Sequence, residues 1–191
     1  MNDIKLLKLS FIIGIPFVLL LILMIALIGN QSITSDPSVV IALEDGFDIP
    51  FESRDYFSVT SEFGNRLDPL GSGEIKFHSG MDLASSCGNN VVASADGIVY
   101  EVGYSPTGLG NYVYIKHTTN AGTIFTAYGH MLDNSITVIK DEPIAKGQPI
   151  GQVGSTGVST GCHLHFMIMK NKISFQEKDL IDPKFIIYGT N

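Results

Sequence analysis

The sequence predicts an all-β domain that follows a single transmembrane helix near the N-terminus. Residues 11–29 contain no charged side chain, whereas beyond Val59 short runs of β-branched and aromatic residues alternate with turn residues. No segment after residue 60 has the hydrophobic periodicity of an amphipathic helix of useful length. We therefore expect a compact antiparallel β-sheet domain, sandwich-like or barrel-like, over residues 56–191.

The uncharged run at residues 11–29 has the length of a transmembrane helix, because about 1.5 Å per residue gives roughly 28 Å, close to the hydrocarbon thickness of a bilayer. A cleaved signal peptide is the alternative, but its apolar core is usually shorter and ends in a small-x-small site, which residues 26–30 lack. Lys5 and Lys8 precede the run and acidic residues follow it. The positive-inside rule then predicts a cytoplasmic segment at residues 1–10 and an extracytoplasmic chain beyond the anchor.

The segment between anchor and domain, residues 30–55, is predicted to be a stalk that contains one short structured piece. It mixes Ser, Asp and Pro around one short apolar patch at residues 39–43. Within the domain, strands are expected at residues 91–93, 98–100, 112–115, 123–128, 136–139, 149–153 and 163–169. Asp96-Gly97 lies between the first two of these strands and is a typical hairpin turn.

The charge and glycine patterns argue against two classes of partner. The chain has a formal net charge of -7 and no basic patch, so it should repel the phosphate backbone of nucleic acid. No glycine-rich segment leads into a helix, so a nucleotide-binding loop is not predicted either.

Two segments contain residues of the types that bind metals, at a spacing that suits strands. His163 and His165 are two residues apart and share one face of an extended strand. His78 and Asp82 are four residues apart and share a face if residues 78–82 are extended. Two imidazoles and a carboxylate that leave a fourth position open for water are a typical ligand set of a catalytic zinc ion. The pattern therefore predicts a metal centre where the two segments meet.

The two cysteines, Cys87 and Cys162, each lie close in sequence to one of these segments. In an exported domain we expect them to form an intramolecular disulfide, because the meeting of the two segments would bring the sulfur atoms together. The alternative is that one thiolate is itself a zinc ligand.

Taken together, these motifs resemble the lysostaphin-type (LytM-like) zinc endopeptidases, which cut peptide cross-links in bacterial cell walls. The resemblance runs from about Val59 to Ile187 and is highly specific in its combination of motifs. It is carried by residues 60–66, 78–82, 95–99, 110–117, 128–130, 146–151, 154–157, 159–166 and 182–183.

The resemblance implies a β fold with a groove over one zinc ion, which His78, Asp82 and His165 would hold. It further implies that His163 and His130 act on the water and the transition state without being permanent ligands. An imidazole beside the water can serve as general base and return the proton to the leaving amine, and the other can donate to the developing oxyanion. Which histidine is the principal base stays open at this stage.

The predicted function is therefore a membrane-anchored zinc metalloendopeptidase that hydrolyses peptide bonds in the stem peptides or cross-bridges of bacterial peptidoglycan. We expect it in the bacterial cell membrane, with one N-terminal helix in the bilayer and the catalytic domain on the wall side. The alternative is a non-catalytic module of the same fold that binds the cell wall or activates another hydrolase.

Four further residues receive weaker predictions. His117 is expected to be structural, and Arg66 to be a structural or groove-edge cation. Tyr128 is either a groove residue or a buried aromatic side chain. Met167 departs from the resemblance, since related enzymes commonly have an acidic residue directly after the His-Leu-His-Phe segment.

Overall fold

The computed structural model describes residues 37–69 and 71–189. The predicted cytoplasmic segment, the membrane anchor and the first part of the stalk, residues 1–36, lie outside these described residues, so the anchor stays a prediction. No helix within the described ranges has the length and hydropathy that crossing a bilayer requires.

The centre of the domain is one antiparallel sheet of eight strands: β1 (Ser58–Ser61), β4 (Met81–Ala84), β6 (Gly97–Ser105), β7 (Gly110–Thr119), β8 (Gly122–Met131), β9 (Pro143–Ile144), β11 (His163–Lys170) and β12 (Leu180–Ile181). Their order in the sheet is β1-β4-β11-β8-β7-β6-β9, with β12 paired to β11. This confirms the predicted all-β antiparallel class. The two end strands, β1 and β9, do not pair with each other. The sheet is therefore open, and the barrel-like part of the prediction is wrong.

The central strand β11 is buried on both faces. Leu164, Phe166 and Ile168 point into the larger hydrophobic core, and each is 0% exposed. Met167 and Met169 point the other way, into a second apolar cluster. His163 and His165 share that second face, because side chains alternate along a strand. The strand that carries both histidines is thus held by apolar packing from two sides and by β4 and β8 at its edges.

Two smaller sheets complete the fold. The strands β5 (Asn90–Val92) and β10 (Pro149–Gln152) pair with each other and contribute Val91 and Ile150 to the larger core. The strands β2 (Gly64–Leu67) and β3 (Ile75–His78) form a hairpin separate from the main sheet.

Two predictions about local structure are wrong. Asp96-Gly97 does not connect a hairpin, because β5 pairs with β10 and β6 pairs with β7 and β9. Residues 136–139 do not form a strand. Their apolar pattern has another origin: Val138 is buried in the core from an irregular segment, while Ile139 is 72% exposed.

The chain enters the domain through the helix α1 (Pro37–Gly46). Val39, Leu43 and Phe47 are spaced by four residues, so they form one stripe, and all three are buried in the larger core. The apolar patch of the predicted stalk is therefore the buried face of α1, which is the short structured piece expected there, and it packs into the core of the domain. A second helix, α2 (Lys184–Ile187), closes the described chain and packs near α1.

Replacing Leu43 by alanine tests whether α1 is part of the fold. Because this side chain is 0% exposed, the variant should lose about 2–5 kcal/mol of the free energy of unfolding. Urea titration of the wild type and of Leu43→Ala measures this loss. Ile139→Ala removes an exposed aliphatic side chain and should change stability by less than about 0.5 kcal/mol. Equal effects for the two variants would show that α1 does not contribute to the core.

Candidate metal centre

A bend between two short strands brings the first two candidate ligands together. His78 is the last residue of β3 and Asp82 the second residue of β4. Residues 78–82 are therefore not one extended strand, and it is the bend, not the alternation along one strand, that brings His78 and Asp82 together. The bend needs glycine at position 80, because a Cβ there would lie 2.3 Å from the carbonyl oxygen of Phe166. With the bend packed this closely on β11, Nε2 of His78 lies 3.1 Å from Oδ1 of Asp82.

The pairing of β4 with β11 adds the third candidate ligand. The register places His165 opposite Asp82, and Nδ1 of His165 lies 2.8 Å from Oδ1 of Asp82. The same Nδ1 lies 3.1 Å from Nε2 of His78. One atom from each of the three side chains thus faces a common point, and these three atoms lie within 4.8 Å of one another.

The donor set fits a zinc ion. Tetrahedral zinc with bonds of about 2.0–2.1 Å separates its ligand atoms by about 3.3 Å, so the observed triangle needs to expand by only a few tenths of an ångström. Nδ1 of His78 lies 2.7 Å from the carbonyl oxygen of Glu62 and must donate its hydrogen there. The lone pair of its Nε2 is therefore directed at the site, as a metal ligand requires.

The protonation states of the ligands also favour a cation. Burial raises the pKa of Asp82, but the imidazoles of His165 and His78 beside its carboxylate outweigh burial and hold that pKa well below its usual range. Burial lowers the pKa of His165, although its hydrogen bond with Asp82 opposes the shift. At neutral pH the carboxylate is therefore ionised and His165 neutral, which are the forms that bind metal ions.

The two predicted catalytic histidines lie next to each other beside this centre. Nε2 of His163 is 3.6 Å from Oδ1 of Asp82, and its Nδ1 donates to the carbonyl oxygen of Gly161 at 2.8 Å. Nδ1 of His130 donates to the carbonyl oxygen of Thr156 at 2.8 Å. The two imidazole rings are 4.6 Å apart between centroids. Each ring is thus oriented by a backbone carbonyl and keeps the lone pair of its second nitrogen available.

His130 has an unusual backbone conformation and a lowered pKa. Its φ of 60° is the left-handed conformation, which a residue with a side chain rarely adopts. Burial lowers its pKa to about 4, although the carbonyl of Thr156 raises it. His130 is therefore neutral near pH 7, with its one hydrogen on Nδ1. A role as donor to an oxyanion stays a prediction, and it requires that His130 first take up a proton on Nε2.

Comparison with known proteins assigns the family. The profile of peptidase family M23 matches residues 76–177, which is more than half of the chain. The chain belongs to peptidase family M23. The matched span includes all three candidate ligands and both flanking histidines. The predicted resemblance to the lysostaphin-type enzymes is thereby confirmed.

Two relatives illustrate the range of activities among similar proteins. ShyC of Vibrio cholerae, a peptidoglycan DD-endopeptidase, is 38% identical over 120 residues, which cover 62% of this chain and 26% of ShyC. NlpD of Salmonella dublin, a murein hydrolase activator, is 37% identical over 91 residues, which cover 48% of this chain and 22% of NlpD. The chain thus spans about a quarter of the length of these relatives.

Solved structures of two peptidases have a similar fold. The catalytic domain of lysostaphin from Staphylococcus simulans has a TM-score of 0.59 and 30% identity, over 69% of this chain and 92% of that domain. A zinc-containing peptidase from Vibrio cholerae has a TM-score of 0.59 and 33% identity, over 73% of this chain and 40% of that protein.

A groove of about 850 Å³ opens over the candidate centre of this M23 domain. Arg66 lines it, which agrees with the groove-edge alternative, and its Nη2 also lies 3.4 Å from Oδ2 of Asp82. Tyr112, Tyr114, Val158 and Phe175 also line it, and sequence reasoning missed them as groove residues. The alternation of Tyr112 and Tyr114 along β7 was the available signal, because residues two apart face the same side.

His117 and Tyr128 belong to the interior. His117 is 1% exposed and donates from Nδ1 to the carbonyl oxygen of Asp96 at 2.8 Å. Its Nε2 therefore accepts from the hydroxyl of Thr126 at 2.8 Å, and that hydroxyl lies 3.0 Å from the hydroxyl of Tyr128. The backbone N–H of Ser94 donates to the same Tyr128 oxygen. This buried chain is structural, as predicted for His117, and of the two alternatives for Tyr128 the buried aromatic is correct.

The predicted disulfide between Cys87 and Cys162 is present, with 5.3 Å between the Cα atoms. It joins the turn after β4 to the residue that precedes His163, so it restrains the start of β11 beside the candidate centre. The alternative of a thiolate ligand is wrong, because both sulfur atoms are in the disulfide.

Met167, at the position where an acidic residue is common, is 0% exposed and belongs to the second apolar cluster. The hydroxyl of Ser79 lies 3.7 Å from its sulfur. The departure therefore places an apolar side chain under the ligand bend and leaves the three candidate ligands unchanged.

His117 should make the stability of the domain depend on pH. Burial lowers its pKa to about 4 in the folded state, compared with about 6.5 in the unfolded chain. The contribution is complete above about pH 6.5 and is lost as the pH falls toward 4. Between about pH 7.5 and pH 5 the loss should be about 2 kcal/mol.

Urea unfolding of wild type and His117→Asn at both pH values, with a chelator present throughout, measures this contribution. Asparagine retains a donor for the carbonyl of Asp96 but does not titrate. The wild type should lose about 2 kcal/mol more than the variant between the two pH values. Parallel losses would contradict the assignment.

Proposed function

We propose that this M23 domain is a zinc-dependent endopeptidase that hydrolyses peptide bonds in the stem peptides or cross-bridges of bacterial peptidoglycan. The observation that carries the proposal is the convergence of His78, Asp82 and His165 on one point, with ligand atoms within 4.8 Å of one another. His163 and His130 lie beside that point and line the same groove. Similarity to the peptidoglycan endopeptidase ShyC supports the choice of substrate.

The bound ion would be held by His78, Asp82 and His165, and it would polarise the scissile carbonyl and make the attacking water more acidic. His163 presents the lone pair of Nε2 beside that point, since its Nδ1–H is committed to Gly161. It can therefore accept a proton from the attacking water. The resulting imidazolium can then donate the same proton to the leaving amine, which balances the hydrolysis.

His130 is the second candidate for this proton transfer. Its lowered pKa makes it a weaker base than an unperturbed histidine, and a nearby cation would weaken it further. We therefore propose His163 as the principal base. His130 would accept a hydrogen bond from water or substrate at Nε2 and would donate only after it is protonated.

The alternative function is a non-catalytic activator of another hydrolase. Similarity to NlpD, a murein hydrolase activator, is the observation in its favour. The complete set of candidate ligands and flanking histidines favours the enzyme, because an activator needs neither.

We also propose that residues 11–29 anchor the protein in the bacterial cell membrane with the domain on the wall side. The support is the uncharged length of this run and the two lysines that precede it. Cell fractionation tests this part separately. Recovery of the full-length chain in the soluble fraction would contradict it.

Removal of the metal tests the proposed function directly. Wild-type protein incubated with purified peptidoglycan should release muropeptides that mass spectrometry identifies by their cleaved peptide bond. A chelator should abolish release and added zinc should restore it, because the three side chains alone lack a Lewis acid.

Asp82→Asn should lose the ion in elemental analysis and lose activity by more than about 1,000-fold. Asp55→Asn, which changes an exposed aspartate, is the matched control and should behave as wild type. Cleavage that persists in chelator or in Asp82→Asn would sink the metal mechanism.

His163→Ala separates catalysis from metal binding. The variant should retain the zinc content of the wild type and lose about 100- to 10,000-fold in kcat. Elemental analysis and steady-state kinetics on the same preparation measure both. A variant that loses its zinc would instead identify His163 as a permanent ligand.

A further inference from the structure

The hairpin of β2 and β3 contributes two cations to the groove. Its register places Arg66 directly opposite Lys76, and both side chains line the groove. Among the described residues that line it, Asp68 and Asp82 are the two carboxylates. The two cations differ in how closely a carboxylate compensates their charge.

Lys76 is neutralised within the hairpin. Its Nζ lies 2.7 Å from Oδ2 of Asp68, whose side chain is only 4% exposed. In an ion pair this short, with one partner buried, the carboxylate compensates the charge of the lysine. Lys76 therefore offers little uncompensated charge to a substrate.

Arg66 is in a different position. Its Nη2 lies 3.4 Å from Oδ2 of Asp82, which is long for a charge-assisted hydrogen bond of about 2.7–2.9 Å. A guanidinium has five N–H donors, and this is the one ion pair of Arg66 within the described residues. Its side chain is 28% exposed. Most of its donors are thus available on the groove side.

The proposed metal would remove even that compensation. The single negative charge of Asp82 would be shared with an ion of charge two, while both imidazoles are neutral ligands. The centre would then be positive, and Arg66 would be a second positive charge beside it. The complementary ligand for such a pair of charges is an anion, and in a peptide substrate that anion is a carboxylate, which the planar guanidinium binds with two parallel hydrogen bonds.

We infer that Arg66 forms a carboxylate subsite of the groove, so that the favoured substrate has a free carboxylate on a residue that forms the scissile bond or is next to it. The carboxylate must be this close to the scissile bond because Arg66 contacts Asp82, a candidate metal ligand, and one residue of the substrate spans only about 3.8 Å. A local subsite is needed because the chain as a whole carries a net charge of -7 and does not attract anionic peptides. The inference rests on the proposed function and defines its substrate more narrowly.

Two synthetic peptides test the subsite. They have the same sequence and differ only in a carboxylate or a carboxamide on the residue next to the scissile bond. Wild type should have a kcat/KM about 10- to 100-fold higher for the acid, mainly through KM. Arg66→Gln should lower kcat/KM for the acid by a similar factor and change that for the amide by less than about threefold. Arg66→Lys should be intermediate on the acid, because it keeps the charge without the planar fork.

Lys76→Gln is the matched control. It removes the neighbouring cation from the same hairpin, but that cation is already paired with Asp68. Its preference for the acid over the amide should stay within about threefold of wild type. Turnover of the amide by each variant reports that the variant is folded.

A binding measurement provides the readout that does not depend on turnover. Uncleavable acid and amide peptides are titrated into the zinc-loaded proteins, and zinc content is measured by elemental analysis. Arg66→Gln should weaken binding of the acid by about 10- to 100-fold, leave binding of the amide unchanged, and retain zinc as in the wild type.

Three results would overturn the subsite. The first is equal turnover of acid and amide by wild type. The second is an equal loss on both peptides in Arg66→Gln, and the third is loss of zinc in that variant. The last two would make Arg66 a residue that only positions Asp82. Failure of the proposed function looks different: wild type would cleave neither peptide nor peptidoglycan, while Arg66-dependent binding of the acid would still support the subsite.

Discussion

The pairing of β4 with β11 is the constraint on which the rest of the candidate centre depends. Its register sets His165 opposite Asp82 and Leu164 opposite Leu83. Because side chains alternate along a strand, a slip by one residue would turn both histidines of β11 into the hydrophobic core and bring Leu164 to the groove. The chemistry of the site is therefore fixed by a backbone register, and the register is fixed by what the two faces bury.

Each face of β11 supports that register in its own way. On one face Leu164, Phe166 and Ile168 are buried against the larger core, and on the other Met167 and Met169 are buried in the second cluster. A histidine turned into the larger core would lose its hydrogen bonds at a cost of several kcal/mol. The disulfide at Cys162 adds a covalent restraint at the open end of the strand. The site is thus rigid because its central strand has no free face.

The parts of this arrangement that depend on local pattern could be predicted from sequence. The alternation of His163 and His165 and the strands at β7, β8 and β11 follow from a period of two. The bend at Gly80 could not be predicted in this way, because it depends on the approach of Phe166 from a distant segment.

The pairing of β5 with β10 could not be predicted from sequence for a similar reason. Those strands have three and four residues, and their partners are chosen by the core rather than by the turn at Asp96-Gly97. A short structured piece was expected at α1, but its helical conformation was not, because its apolar stripe consists of few residues within a polar, proline-containing stretch. A helix this short is stabilised mainly by burial of its apolar stripe against the domain.

The five histidines show how one device serves several roles. Four of them, His78, His117, His130 and His163, each donate Nδ1–H to a backbone carbonyl. That bond fixes both the ring orientation and the tautomer, and it leaves Nε2 as a lone pair in every case. His165 is the exception, because it turns Nδ1 toward Asp82 and His78.

What distinguishes the four is therefore the partner of Nε2. In His117 that partner is the hydroxyl of Thr126, so the ring is satisfied and inert. In His78 it is the point shared with Asp82 and His165, where a cation is the natural acceptor of the lone pair. In His163 and His130 the lone pair faces the groove, where water and substrate are the available donors. Sequence position alone does not separate these roles, since all four histidines make the same first hydrogen bond and differ only in the second.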